Sequence, residues 1–232
     1  VLFEVLKRLG EPYAQGLHHL SYGLVELPTG RMKTREGNVV DADDLVAEVI
    51  RVAREQAEQG DDFSALDAAD QDEIVRQIGL AALKFFMIKV NPKKRMIFNP
   101  EESVDLKGQT GPYIQYSGAR INKLLNRAEQ EQIDLGGAGA YTAIQDQEKE
   151  LLKALHEYPA TVLTAAAEYD PSHLANYCYN LAKSYHRFYH DLPIFKAEST
   201  AAKAFRLQLC RAVSLVLHSG MGLLGIEMPE RM

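Results

Sequence analysis

Tyr113, Tyr116 and Arg120 are the residues in this sequence whose types and spacing suggest chemistry most directly. They sit in the run Gly108-Gln109-Thr110-Gly111-Pro112-Tyr113-Ile114-Gln115-Tyr116-Ser117-Gly118-Ala119-Arg120. Gly-Pro is a helix start, and at 100° per residue the two tyrosines and the arginine fall within about 60° of one another. Ile114, Ile121, Leu124 and Leu125 make a separate apolar stripe that can face a core. Two aromatic planes beside a guanidinium suit an unpaired nucleobase and its phosphate. The plainer alternative is a pair of half-buried tyrosines with wet hydroxyls, and for an isolated Tyr-x-x-Tyr it would be preferred.

A second interleaving of aromatic and basic residues follows at Tyr185, His186, Arg187 and Tyr189. Tyr185 and Phe188 read as packing residues, whereas Tyr189 stands at a helix end and is freer to meet a ligand. The loop Arg31-Met32-Lys33-Thr34-Arg35-Glu36-Gly37-Asn38 follows Gly30, and such a basic turn can wrap a polyphosphate. Its spacing is not that of a Walker loop, so the pattern alone is weak. His18 and His19 are adjacent on a β-rich run and would face opposite sides of a strand. His186 and His190 are four apart, a spacing compatible with a metal, yet only Asp191 is near to complete the set, and no metal is expected. No Ser-His-Asp or Cys-His arrangement stands out, so no complete catalytic set is expected.

The elements that must position these groups are mostly helical. Residues 2–10 read as a helix ending at Gly10, His18 to Leu27 as a strand, and Pro28-Thr29-Gly30 as a break. Asp41 or Asp43 caps a helix closed by Gly60, and a second runs from about Asp70 to Val90, stopped by Asn91-Pro92. Met96-Ile97-Phe98 reads as a short extended piece, followed by the Gly-Pro helix from about Pro112 to Gln130. Gly136-Gly137-Ala138-Gly139 marks a flexible connector. Beyond it, Gln147–Leu155 and Thr161–Tyr169 are amphipathic, Asp170-Pro171-Ser172 opens a long helix, and a last helix runs from about Thr200 to Ser219. The expected fold is mainly α, a helical bundle with short connections.

Composition bounds the class. The chain has 232 residues, 46% hydrophobic and 25% charged, as expected of a globular protein. No apolar run approaches the roughly 18 residues of a membrane span. Cys178 and Cys210 read as reduced core thiols of a cytoplasmic protein. The chain opens at Val1 within an apolar helix-like run, which reads as a piece of a longer protein. A net charge of −6 argues against strong nonspecific nucleic-acid binding, but the charge is unevenly distributed. Twelve acids lie between Asp41 and Glu73, and none between Ile74 and Pro100, where Arg76, Lys84, Lys89, Lys93, Lys94 and Arg95 fall.

Several segments together carry a resemblance to one family. They are Leu17-His18-His19-Leu20-Ser21-Tyr22-Gly23-Leu24-Val25-Glu26-Leu27 with Arg31 to Val40; Gly111-Pro112-Tyr113-Ile114-Gln115-Tyr116 with Arg120-Ile121; Leu174-Ala175-Asn176-Tyr177 through Arg187-Phe188-Tyr189-His190; and Gly222-Leu223-Leu224-Gly225-Ile226 with Pro229-Glu230-Arg231-Met232. In this order they resemble the C-terminal part of the arginyl-tRNA synthetases, a family of class I aminoacyl-tRNA synthetases. The resemblance implies that residues 1–40 are the trailing edge of a Rossmann-type catalytic domain. That edge ends in a KMSKS-like loop, Arg31, Met32, Lys33, Thr34 and Arg35, which meets the ATP phosphates. Residues 41–232 would be the helical anticodon-binding domain. By the same carry-over, Tyr113, Tyr116, Arg120, Tyr189 and Met232 form the pocket for the central anticodon cytosine.

The parent enzyme implied by this resemblance attaches arginine to tRNA(Arg) through arginyl-adenylate, using ATP with Mg2+, as a cytoplasmic monomer with no membrane partner. The chain carries no HIGH-type motif, so by itself it is expected to be inactive and to hold no cofactor. An electrostatic phosphate clamp cannot catalyse adenylation without the nucleotide and the substrate carboxylate held in place. Two other readings compete: a helical protein–protein interaction domain without RNA binding, and a metal hydrolase built on His186 and His190.

Overall fold

A computed structural model describes residues 1–26, 41–58, 61–64 and 66–232. The loop Arg31 to Arg35, expected to meet nucleotide phosphates, lies outside the described residues. The chain begins with a short helix, α1 (Leu2–Arg8), that ends near Gly10 at φ +76°, where a residue without a side chain is favoured.

Of the strand expected from His18 to Leu27, the described residues show two in a strand, while Leu27 lies outside them. β1 (Val25–Glu26) lies parallel to β2 (Met96–Ile97), with Val25 opposite Met96 and Glu26 opposite Ile97. A longer strand would need a longer partner, and the chain on that side turns away at Pro92–Arg95. There the Gly23 N–H donates to the Pro92 carbonyl at 2.6 Å. A Cβ at Gly23 would fall 2.0 Å from the Lys94 carbonyl oxygen, so only glycine allows this approach.

Capping residues set the helix starts. In α2 (Ala42–Ala57) the Asp41 carboxylate accepts from the Asp43 N–H, and in α4 (Ala68–Ile88) that of Asp67 accepts from Asp70 at 2.8 Å. Between them lies α3 (Asp61–Ser64), and after β2 comes the single turn α5 (Pro100–Ser103). α6 (Gly111–Gln130) opens with the Thr110 hydroxyl accepting from the Tyr113 N–H at 3.2 Å and Pro112 in the first turn. Each such cap contributes about 1 kcal/mol.

The segment Gly136–Ala140, read as a flexible connector, is a 3-10 turn seated on α9 (Thr200–Leu223). Gln208 of that helix donates to the Leu135 carbonyl at 2.7 Å, which fixes its entry. The two amphipathic stretches that follow are one helix, α7 (Asp146–Glu168), with Pro159 inside it. Proline leaves the Leu155 carbonyl without its helical donor. Beside that break the Tyr177 hydroxyl of α8 (Ser172–Asp191) donates to the Ala154 carbonyl at 2.8 Å, tying α7 to its neighbour. α9 runs through Gly220, where the expected stop lies, because the absent Cβ leaves room for the Cys178 sulfur.

Among the described residues two apolar cores result. The larger joins Ile114 and Ile121 of α6, Leu181, Tyr185 and Phe188 of α8, Leu207, Val213 and Leu217 of α9, and Leu151 of α7. The smaller joins Val52 and Ala53 of α2 with Ile74, Val75 and Ile78 of α4. α4 belongs to both, since Ala81 and Phe85 turn to the first and Ala82 to the second. Inside the larger bundle, Arg206 (1% exposed) donates to the fully buried Glu148 at 2.7 Å, and to Glu198 and the Pro193 carbonyl.

Candidate nucleic-acid interface

Packing of α6 against α8 buries Ile114, Ile121, Tyr185 and Phe188 and leaves Tyr116 and Arg120 at the edge of the helix pair. Tyr116 is 37% exposed. The Arg120 guanidinium carbon lies 4.1 Å from the Tyr189 ring centre and 5.9 Å from that of Tyr116. A cation over two rings in this way is attracted to their π faces. These three groups open onto a cavity of about 880 Å³, whose wall also includes Leu66, Lys123, Arg127, Arg231 and Met232.

Met232 reaches that cavity because the last residues are pinned across α4 and α6. The buried Gln115 side-chain amide donates to the Glu227 carbonyl at 2.8 Å and to the Gln77 carbonyl at 3.2 Å. Lys84 donates to the Gly225 carbonyl at 2.5 Å, Arg76 pairs with Glu227 at 2.7 Å, and Arg231 pairs with Asp70. The Met228 methyl lies against Gly118, where a Cβ would approach it to 2.6 Å. Glycine at 118 thus lets the tail lie close to α6, and the tail then delivers Met232.

The structure therefore brings Tyr116, Arg120, Tyr189 and Met232 to one cavity, and it does not bring Tyr113 there. Tyr113 is half-buried against the larger core, its ring 5.3 Å from Tyr179 and 5.0 Å from His186. Burial, with Tyr179 beside it, pushes its hydroxyl pKa up. The shared arc with an apolar stripe elsewhere on the helix sets both tyrosines on an outward side, and for Tyr113 the packing against the larger core corrects that expectation. A shared 60° arc on an ideal helix does not say where the neighbouring helix closes over the surface, and α8 covers the first turn.

His186 stands behind Tyr116. Its Nε2 is 2.9 Å from the Ser117 hydroxyl, which itself donates to the Tyr113 carbonyl. Its ring is nearly parallel to that of Tyr116, at 6° and 6.1 Å. Burial, and then the charge of Arg120, hold the His186 pKa below the ordinary histidine value. His190 faces outward and pairs with Asp191 at 2.9 Å, so the two histidines point apart. Among the described residues no group of three His, Cys, Asp or Glu could hold a metal. Cys178 and Cys210 are buried, and burial pushes both thiols up to about 12. His18, the first of the paired histidines, stacks on Tyr169 with ring centres 4.0 Å apart.

Sequence reasoning missed Lys123, Arg127 and Arg231 as wall residues. The signal was present for the first two, which follow Arg120 at three and seven positions and so share its face.

Residues 114–232 match the family described as the DALR anticodon binding domain. The chain belongs to that family. Residues 1–99 match the catalytic domain described as tRNA synthetases class I (R), so this DALR chain carries part of a second family unit ahead of it. Over its whole length the chain is 46% identical to arginine–tRNA ligases of Porphyromonas gingivalis and Parabacteroides distasonis, and it spans 39% of each. Among solved structures, the Thermus thermophilus arginyl-tRNA synthetase superposes on the whole chain with a TM-score of 0.84 at 30% identity, the chain covering 38% of it. The resemblance to arginyl-tRNA synthetases read from the sequence holds along the entire chain.

Proposed function

We propose that this DALR chain is the C-terminal, anticodon-binding part of an arginine–tRNA ligase, and that its cavity takes the central anticodon cytosine. The observation that carries the reading is the meeting of Tyr116, Arg120, Tyr189 and Met232 at one opening. A splayed base needs a flat partner for its face and hydrogen-bonding groups for its edge. The two phenol rings offer the faces, the guanidinium offers donors, and the pinned tail closes one side. Tyr113 contributes from behind, by packing on the His186 ring that backs Tyr116.

In the whole ligase, Arg31, Met32, Lys33, Thr34 and Arg35 would form the KMSKS-like loop that meets the ATP phosphates. ATP, Mg2+, arginine and tRNA(Arg) are then the partners of the complete enzyme, which would be cytoplasmic and monomeric. ATP there activates the arginine carboxylate as an adenylate. The chain alone has no HIGH-type motif and is expected to show no adenylation. We place the division between the catalytic remnant and the helical domain near residue 40. The sharing of α4 between both cores supports treating residues 41–232 as one helical body.

The test is fluorescence anisotropy with an arginine-tRNA anticodon hairpin. Binding that weakens with salt, with replacement of the central cytosine and with deletion of Met232 supports the reading. Affinity indifferent to the central base would leave a helical protein–protein interaction domain as the better account.

A further inference from the structure

α7 and α8 run antiparallel from the corner at Tyr169, with Glu168 paired to His173 and Glu150 to Arg187. Between them lies a cleft of about 600 Å³, within the range of small-molecule pockets. It shares no lining residue with the RNA cavity. On α8 its wall extends from His173 to Ser184, so at a rise of about 1.5 Å per residue the cleft is about 16 Å long.

The wall is rich in acceptors. The Thr161 and Thr164 hydroxyls each donate to a carbonyl one turn earlier, those of Glu157 and Ala160, at 3.0 Å. Their protons are thereby committed to the helix, and their lone pairs are left for a ligand. The Tyr177 hydroxyl likewise gives its proton to the Ala154 carbonyl at 2.8 Å. Burial, followed by the nearby Cys178 and Glu157 groups, pushes the Tyr177 pKa up, so that proton is retained at neutral pH. Three hydroxyls of the wall therefore act as acceptors.

The charge is negative at both ends. Among the described residues of the wall there is no lysine or arginine, and Glu157 is the carboxylate. The pairing of the two helices sets Glu157 toward the Ser184 end. At the corner end the His173 Nε2 has Glu168 at 2.8 Å and Asp170 at 3.9 Å, two carboxylates about one imidazole. Between the ends, Ala160, Leu181 and the Tyr177 ring offer apolar surface. A phosphate would be repelled here. An ammonium has three donors and no acceptor, which matches this wall, and a methylene stem matches the apolar stretch.

We propose that the cleft between α7 and α8 is a binding site for an aliphatic polyamine. One ammonium sits at Glu157 and another at the Glu168–Asp170 corner, with the methylenes over Ala160 and Tyr177. The site is independent of the anticodon reading, since neither its residues nor its ligand enter that reading.

Calorimetric titration of the intact chain with spermine, in the absence of RNA and at physiological ionic strength, tests this. The wild type should bind one equivalent saturably. Glu157→Gln should weaken binding about fivefold, as for a solvent-exposed ion pair at its strongest. Ala160→Phe, which fills the cleft from an exposed helix position, should abolish binding, and both variants should melt like the wild type without ligand. Asp44→Asn, at an exposed acid of α2, should bind spermine as the wild type does. Equal weakening by Asp44→Asn and Glu157→Gln would show diffuse attraction of a polycation to a chain of net charge −6, and would overturn the site. Full binding by Ala160→Phe, or displacement of spermine by Mg2+ at equal charge concentration, would overturn it as well. Tighter saturable binding of a lysine tripeptide than of spermine would overturn the polyamine as the ligand.

Discussion

The Arg120 guanidinium carbon lies over the Tyr189 ring, 4.1 Å from its centre, and so joins α6 to the C-terminal end of α8 at the mouth of the cavity. A lysine ammonium at this position keeps the charge but loses the planar stack and the fork of donors. Arg120→Lys is expected to weaken hairpin binding about five- to tenfold, near 1 kcal/mol, with little effect on the thermal midpoint. Titration by anisotropy, with a melting curve of the same sample, checks both halves.

Tyr116 and Tyr113 should separate cleanly. Tyr116→Ala removes an exposed ring at the cavity and should cost about 1–3 kcal/mol of RNA binding. Tyr113→Ala removes a ring packed between Tyr179 and His186, so its larger effect should be on folding, at about 1–3 kcal/mol. Urea unfolding and RNA titration of both variants test this. Equal behaviour of the pair in the two assays would contradict the placement.

His186 gives a pH dependence whose sign follows from its burial and from Arg120. The folded chain holds its pKa below 6.5, so between the two values the unfolded chain binds more protons. The stability gained by keeping this ring neutral is therefore present above about pH 6.5 and is lost as pH falls through the folded value. Melting between pH 7.5 and 5 should show a steeper decline for the wild type than for His186→Gln. Arg120→Met should lessen that decline, because it removes the second cause of the shift.

Tyr185 is fully buried, and its hydroxyl has no hydrogen-bond partner among the described residues. Burial raises the pKa of that hydroxyl, and an unpaired buried polar group is destabilising. Tyr185→Phe is expected to raise stability by about 1 kcal/mol and to leave RNA binding unchanged. A loss of stability in denaturant titration would point to a partner for the hydroxyl.

The helices were legible because their signals are local. Thr110 and Pro112 start α6, Gly10 follows the end of α1, and the apolar spacing of α8 selects Leu181, Tyr185 and Phe188 for the core. What escaped depended on contacts distant in sequence. The stretches Gln147–Leu155 and Thr161–Tyr169 read as separate, yet α7 runs through both and through Pro159 between them, with Tyr177 engaging the chain beside the break. The glycine-rich run 136–139 suggested mobility, yet α9 holds it. At the site, helical spacing placed Tyr116 and Arg120 together but could not reveal that α8 covers Tyr113. The position of Met232 required the resemblance, since the bonds that pin the tail come from Gln115, Lys84 and Arg76, more than a hundred residues earlier.

A hairpin carrying a fluorescent cytosine analogue at the central anticodon position reports directly on stacking in the slot. Emission should be quenched when the wild-type chain binds and should stay at the free-hairpin level with bound Tyr116→Ala,Tyr189→Ala. Unchanged emission from a saturated wild-type complex would show that the base does not enter between Tyr116 and Tyr189, and would contradict the account.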